Sequence, residues 1–262
     1  MKKIFVSVLA LCLLVVFLSG CGAKPEDIAL QLAEATNVQD LEVALALFAD
    51  DAVVTSVSPE PFTGKDEIQT WLEEMFADNF KLEPKIVEVN GNVVIEKDTM
   101  AMDSMSFYGI EPLTGTSEIT VEDGKIKTIN FSFSDETLAD FQAAPFVAPE
   151  DLIGIWSVGT LFQFNDDGTA RVAEKMDDFS FPVDEEHPGS VQAWTYDGMV
   201  MTFDTITGVG EGYENCEPGQ VGIYFVKWSG QNLERLRFKA IYDPCIGRET
   251  GMQWGDWAPI SP

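Results

Sequence analysis

Histidine is almost absent from this chain: among 262 residues His187 is the only one, and cysteine occurs four times. So few imidazoles and thiols exclude His-rich metal sites, zinc fingers and most Ser-His-Asp hydrolase schemes. Basic residues are also scarce, with 16 Lys and Arg against 44 Asp and Glu, for a net charge of −28. So acidic a surface repels phosphate backbones, which excludes sequence-independent nucleic-acid binding. No residue pattern indicates a metal or a cofactor, and we expect neither.

The first twenty residues have the pattern of a removable export signal. Two lysines precede an apolar run from Ile4 to Leu18, which is too short to span a bilayer comfortably and typical of a signal peptide. The run ends in Leu-Ser-Gly-Cys, with the cysteine at Cys21, and this resembles the lipobox of bacterial lipoproteins. The resemblance implies cleavage after residue 20, lipidation of Cys21, and a tether over residues 21–24. An ordinary secretory signal with an incidental Cys21 is the alternative.

The next segment, residues 25–141, is predicted to be an α+β domain. Its hydrophobic period changes from helical to two near Pro84, and Asn90-Gly91 and Asp123-Gly124 are hairpin turn signals between strand patterns. This order predicts a cone in which helices pack on a curved antiparallel sheet. The phrases LALFADDAVV, FTGKDEIQTWLEEMF and GKIKTINFSFSDE resemble, in that order, the nuclear transport factor 2-like or SnoaL-like domains. That family includes isomerases, polyketide cyclases, dehydratases and non-catalytic pocket proteins. The resemblance therefore implies a pocket but does not decide between catalysis and ligand binding.

Acids are the main candidates for proton transfer in this domain, because it contains no histidine and only one tyrosine. Asp98, Asp103 and Glu118 fall on predicted strands and could face the cone. A catalytic carboxyl there would need burial to raise its pKa, whereas solvated strand faces are the competing interpretation. We therefore predict no retained catalytic machinery, and a buried, inward-facing acid beside a hydrogen-bond donor would favour an enzyme instead.

A segment with two prolines, residues 142–150, is the predicted linker to a second domain over residues 151–262. That domain shows six or seven strand patterns and no helical pattern, which predicts an all-β, barrel-like fold. Gly154 and Trp156 on its first strand resemble the G-x-W signature of lipocalin-like barrels, in which the tryptophan closes one end. Because the domain is shorter than a lipocalin, an incomplete or flattened barrel is also compatible with the sequence.

Two cysteines, Cys216 and Cys245, remain once the signal is removed and Cys21 is lipidated. The predicted turn at Ser229–Asn232 lies midway between them, so an in-register hairpin would place them opposite each other. In an exported protein such a pair is expected to form a disulfide.

The same register places Arg235 and Arg237 on one strand face with Tyr224 and Trp228. If the barrel is hollow, these residues form a binding site for the carboxylate or phosphate head of an amphiphile. If apolar side chains fill the barrel, the cations lie outside, stacked on the aromatic rings.

Taken together, these patterns predict a lipoprotein of the cell envelope, anchored on the extracytoplasmic side of a bacterial membrane. It is expected to be non-catalytic and to bind a small hydrophobic or amphiphilic ligand, or a partner. The alternative from another class is a SnoaL-like isomerase, cyclase or hydrolase acting on a hydrophobic substrate. A structural envelope protein with filled cones is a third interpretation.

Overall fold

The computed structural model of the protein describes residues 23–55, 60–210 and 216–260. It divides the chain into two compact units that meet in sequence between Gln142 and Ala143. The predicted leader and Cys21 lie outside the described residues. No helix within the described ranges is long and apolar enough to span a membrane.

Helices α1 (Pro25–Asn37), α2 (Leu41–Ala46) and α3 (Gly64–Ala77) open the N-terminal unit. Helix α1 starts with proline and has two acids in its first turn, where negative charge favours the helix dipole. Helix α2 is capped by Asp40, whose carboxylate accepts the backbone N–H of Val43 at 3.0 Å. Two later helices, α4 (Asp103–Tyr108) and α5 (Asp135–Ala143), follow strands of the sheet.

The sheet of this unit has six strands in the order β2-β1-β6-β5-β4-β3. Both predicted hairpins are present, and the turn at Asp123-Gly124 has the two positive φ values that a type I′ turn requires. The first turn lies one residue later than predicted, at Gly91 and Asn92, because Asn90 pairs with Val93, and of these only Gly91 has a positive φ. The sheet is not wholly antiparallel, because β1 pairs with β6 in parallel. The strands are β1 (Phe48–Thr55), β2 (Phe62–Thr63), β3 (Lys81–Asn90), β4 (Val93–Ala101), β5 (Leu113–Glu122) and β6 (Lys125–Phe133).

One apolar core joins the helices to the sheet. Leu32 of α1 and Leu72 of α3 pack in the same buried cluster as Ile119 and Ile129 of the strands. Each such burial contributes about 1.5–3 kcal/mol. The predicted α+β architecture, with helices over a curved sheet, is confirmed for this unit.

The C-terminal unit is an eight-stranded antiparallel sheet in the order β13-β12-β11-β10-β9-β8-β7-β14. Its strands are β7 (Gly154–Ser157), β8 (Leu161–Phe164), β9 (Thr169–Ala173), β10 (Gly189–Tyr196), β11 (Val200–Val209), β12 (Val221–Ser229), β13 (Arg235–Tyr242) and β14 (Ala258–Pro259). Short helices α6 (Pro149–Leu152) and α7 (Ile246–Gln253) and a 3-10 turn (Met176–Ser180) accompany them.

The two edges of this sheet nearly close on each other. Leu236 of β13 and Trp257, next to β14, exchange two backbone hydrogen bonds of 2.9 and 2.7 Å. The barrel-like prediction is therefore confirmed, but the predicted six or seven strands and the predicted lack of helices are wrong. The last strand has only two residues, too few to show a pattern, and α7 contains Gly247 and Gly251, which weaken any helical signal.

Apolar side chains fill much of the barrel-like unit. Phe162, Phe164 and Phe203 are buried and lie edge-on or tilted against one another with ring centroids 5.0–6.0 Å apart. Trp156 belongs to the same cluster, and its indole N–H donates to the carbonyl of Leu152 at 2.8 Å. Gly154, two residues earlier, has a φ of 138°, a conformation that other residues rarely adopt.

Candidate functional site

Strand β4 carries two acids on its inner face. Val94, Glu96, Asp98 and Met100 are buried, and the residues between them are more exposed. Only 2% of Glu96 and 3% of Asp98 is accessible to solvent. Because a strand alternates its side chains between two faces, both carboxyl groups project from the side of the sheet that holds the core.

A cavity of about 250 Å³ lies on that side, and both acids line it. Its remaining wall is mostly apolar and comes from α1, α3 and the strands. Among the described residues that line it, Glu96 and Asp98 are the only ionisable ones, and Thr36 and Ser117 add hydroxyl groups. The aromatic and methionine part of the wall comprises Trp71, Met75, Phe80, Met100, Met102, Phe131 and Phe133.

Burial disfavours the charged form of both carboxyl groups. It raises the pKa of Glu96 to about 7, and the nearby charge of Asp98 adds to the effect. Burial also raises the pKa of Asp98, against the opposing effect of the Ser117 hydroxyl, which donates a hydrogen bond to one of its oxygens. The other oxygen of Asp98 and one oxygen of Glu96 have no hydrogen-bond partner within the described part of the protein.

This arrangement can hold, accept or give a proton at neutral pH. A Glu96 with a pKa near 7 is divided between a neutral form that donates a hydrogen bond and an anion that only accepts. Each unpartnered oxygen carries a desolvation penalty that a bound donor would relieve. The cavity therefore matches a mostly apolar molecule that places one polar group against the two carboxyl groups.

Of the three acids predicted as catalytic candidates, only Asp98 lines the cavity. Asp98 faces the cavity beside a donor, which is the feature we named as favouring an enzyme. Asp103 and Glu118 do not line it: Asp103 is exposed at the start of α4 rather than on a strand, and Glu118 lies on the exposed face of β5. The sequence analysis did not name Glu96. Its spacing of two residues from Asp98 and of four from Met100 within one strand places all three on one face, and this spacing could have identified it.

The predicted cation and aromatic cluster of the second unit is wrong. Strands β12 and β13 pair Trp228 with Leu236 and Lys227 with Arg237, a shift of three residues from the predicted register. Because the side-chain period is two, an odd shift moves side chains to the other face. Arg235 and Arg237 are therefore exposed on the face opposite Tyr224 and Trp228.

Those two aromatic residues lie on the inner side of the sheet. Tyr224 is fully buried, and its hydroxyl donates a hydrogen bond to Asp243. Trp228 packs against the same core, with its ring centroid 6.1 Å from that of Trp156. Neither residue can form a polar site with the two arginines.

The buried cation of this unit is Arg248 on α7, which sequence reasoning did not single out. Its guanidinium donates to both oxygens of Asp243 at 2.7 and 2.9 Å, and to Gln192 and Thr205 at 2.9 and 2.8 Å. A fifth bond reaches the carbonyl of Gln220 at 3.0 Å. All five N–H groups are thus engaged, so Arg248 fixes α7 to four separate segments instead of offering a ligand site.

The predicted disulfide between Cys216 and Cys245 is present. The disulfide forms although the predicted pairing of β12 with β13 is wrong, because both cysteines lie beyond the paired residues of these two strands. Cys245 also caps α7, and its sulfur accepts the backbone N–H of Arg248. A smaller cavity of about 110 Å³ beside this helix is lined in part by Cys216, Gln192 and Met252.

Residues 29–129 match the protein family described as the SnoaL-like domain. The N-terminal cone is SnoaL-like. The match confirms that resemblance and covers the helices and strands that build the larger cavity. No curated protein matches the chain, and the lipocalin-like resemblance of the second unit stays a prediction.

Three solved structures illustrate the likeness of this SnoaL-like unit. A candidate polyketide cyclase from Sinorhizobium meliloti is 23% identical, over 40% of this chain and 94% of that chain, with a TM-score of 0.37. An NTF2-like protein of unknown function from Cytophaga hutchinsonii is 16% identical, over 44% and 95%, with a TM-score of 0.37. The epoxide hydrolase/cyclase-like enzyme SalBIII is 14% identical, over 42% and 91%, also with a TM-score of 0.37. At such identities the likeness concerns the fold alone.

Proposed function

We propose that the SnoaL-like unit binds a small, mostly apolar molecule, with one polar group placed against Glu96 and Asp98. The observation that carries this proposal is the cavity of about 250 Å³ whose largely apolar wall contains two buried carboxyl groups with unpartnered oxygens. Ligand sites are commonly apolar clefts with a few converging polar groups of this kind.

A titration with Prodan, a neutral dye with two fused rings and one carbonyl group, tests this function. Ala29 of α1 is buried and lines the cavity, whereas its neighbour Leu30 is 46% exposed. We expect Ala29→Phe to fill the cavity and weaken dye binding, and Leu30→Phe to leave it unchanged, with circular dichroism confirming that both variants fold. Equal binding by both variants, or no binding by the wild type, would count against the proposal. Native mass spectrometry of protein from its own cells would reveal a co-purifying ligand.

Acid–base catalysis is the second candidate function, and the observation that favours it is the raised pKa of Glu96 beside Asp98. Under this candidate the unit is an isomerase, cyclase or hydrolase, and the pair moves a proton on a hydrophobic substrate. A carbonyl ligand of the cavity should then exchange its α-hydrogens in D₂O with the wild type, and with neither Glu96→Gln nor Asp98→Asn. Binding without exchange in the wild type would leave the non-catalytic function.

The location we propose is the cell envelope, through a lipid on Cys21. Support comes from the basic start, the apolar run and the Leu-Ser-Gly-Cys ending. Several acyl chains on one cysteine would anchor the protein stably. We expect Cys21→Ala to release the protein from membranes or to leave the precursor uncleaved, as followed by membrane fractionation and intact mass. Normal processing and membrane retention of this variant would refute the anchor.

For the C-terminal unit we propose a lipocalin-like barrel with a packed interior, in which Trp156 closes one end. Support comes from Trp156 on the first strand, buried in the core, and from the nearly closed antiparallel sheet. A Trp156→Ala variant should unfold the barrel-like unit at lower denaturant concentration, since loss of a buried tryptophan costs about 3–5 kcal/mol. Unchanged stability of that variant would contradict this role.

A further inference from the structure

The larger cavity has an unusual electrostatic composition. Two carboxyl groups face it, and none of the described residues that line it is Lys, Arg or His. The two acids have no cationic partner in the ion pairs or hydrogen bonds that the structure shows for them, and Ser117 is the one donor to either of them. A protein that buries carboxyl groups normally pairs them, because an unpaired buried charge is costly.

The unpartnered oxygens set the polarity of the molecule that fits. A carboxylate or phosphate head would be repelled by the ionised forms of Glu96 and Asp98, and as an anion it would bring no donor for the unpartnered oxygens. A hydroxyl could donate to only one of them. An ammonium group supplies up to three donors and the opposite charge, so it can donate to the carboxyl oxygens and balance their charge.

The rest of the wall suits such a cation. Trp71, Phe131 and Phe133 line the cavity, and aromatic faces attract a desolvated ammonium group. Met75, Met100 and Met102 provide an adaptable apolar surface for the remainder of the molecule. With a volume of about 250 Å³, against roughly 150 Å³ for a cavity that holds benzene, the site accommodates a body of about two fused rings.

We propose that the SnoaL-like cavity selects an apolar molecule carrying one primary or secondary ammonium group, held between the carboxyl groups of Glu96 and Asp98. This inference rests on the proposed ligand-binding function and narrows it to hydrophobic amines. From this cavity it excludes amphiphiles with a carboxylate or phosphate head.

Three probes that share one ring system test the inference. They are 1-naphthylmethylamine, 1-naphthalenemethanol and 1-naphthoic acid, titrated into the full-length mature protein at pH 7.5 by calorimetry. We expect the amine to bind about tenfold or more tighter than the alcohol, as charge-assisted hydrogen bonds imply, and the acid to bind weakest. The Glu96→Gln/Asp98→Asn double variant should lose this preference for the amine while still binding the alcohol.

Alcohol binding by the double variant also shows that the cavity is intact; if the double variant does not fold, Glu96→Gln alone replaces it. Glu118→Gln, on the exposed face of β5, is the matched control and should leave all three affinities unchanged. The wild type should also bind the amine more tightly at pH 8 than at pH 6. Glu96 and Asp98 are the titratable groups facing the described cavity, and their ionisation creates the anionic site while the amine stays charged.

The outcomes separate the two proposals. If the alcohol binds as tightly as the amine, or if the double variant keeps the preference for the amine, the inference is overturned while ligand binding stands. If none of the three probes binds and Prodan does not bind either, both proposals fail.

Discussion

Replacing Glu96 by Gln should make the stability of the SnoaL-like unit markedly less sensitive to a rise in pH between 4.5 and 7. The side chain is 2% exposed, and burial raises its pKa from the usual 4.5 to about 7 in the folded protein. Between those two values the folded state keeps a proton that the unfolded state has released, so stability falls as pH rises through this window. Below pH 4.5 both states are protonated and the effect vanishes.

The size of the effect follows from the shift. A difference of about 2.5 pKa units, at 1.36 kcal/mol each, corresponds to about 3 kcal/mol of unfolding free energy lost between pH 4 and pH 8. Gln cannot ionise, so its variant should lack this loss. Because the comparison is made between two pH values, any constant cost of the amide cancels.

The assay is urea unfolding at several pH values from 4 to 8, read by hydrogen exchange of peptides from residues 93–133, which report the SnoaL-like unit alone. Glu118→Gln is the control, since this exposed glutamate on the neighbouring strand should leave the wild-type pH profile unchanged. Parallel profiles for the wild type and Glu96→Gln would refute the burial of an ionisable group in the cavity.

The second unit provides three further predictions, each measured as a change in unfolding free energy. Serine at both Cys216 and Cys245 should cost about 3–4 kcal/mol, because the bond closes a loop with a sequence separation of 29; two free thiols in the unfolded, unreduced protein would contradict it. Arg248→Met should cost about 3–5 kcal/mol by leaving Asp243 buried and unpaired, and Asp243→Asn in the same chain should recover part of that loss. Arg235→Ala and Arg237→Ala, both exposed, should change stability by less than about 1 kcal/mol; a larger loss would revive the predicted packing of these cations on aromatic rings.

Local turn chemistry was predictable where the turn residues leave few choices. The hairpins require positive φ at Gly91, Asp123 and Gly124, which these residues adopt readily, so the strands around them could be placed from the sequence to within one residue. The turn after β12 was not predictable in this way. Leu233 adopts a φ of 54° there, which a bulky side chain rarely does, and the longer loop shifts the pairing by an odd number of residues.

The candidate site was half predictable. Asp98 was named from its position in a strand pattern, and Glu96 shares its parity, but only the packing of α1 and α3 on one side of the sheet decides which face is buried. Arg248 had no local signal at all. Its partners Gln192, Thr205 and Asp243 are 56, 43 and 5 residues away in sequence, so the network exists only once the strands have assembled.

The closure of the barrel-like unit has a consequence for how the chain is made. Residues 243–259 supply Arg248, one half of the disulfide, the strand that pairs with β7 and the tryptophan that pairs with β13. A ribosome reaches them last within this unit, so a nascent chain that ends before Asp243 has both sheet edges open. Open edges are templates for intermolecular pairing. Truncation or stalling in this short stretch should therefore produce aggregates, whereas a loss of equal length elsewhere on the surface would not expose both edges at once.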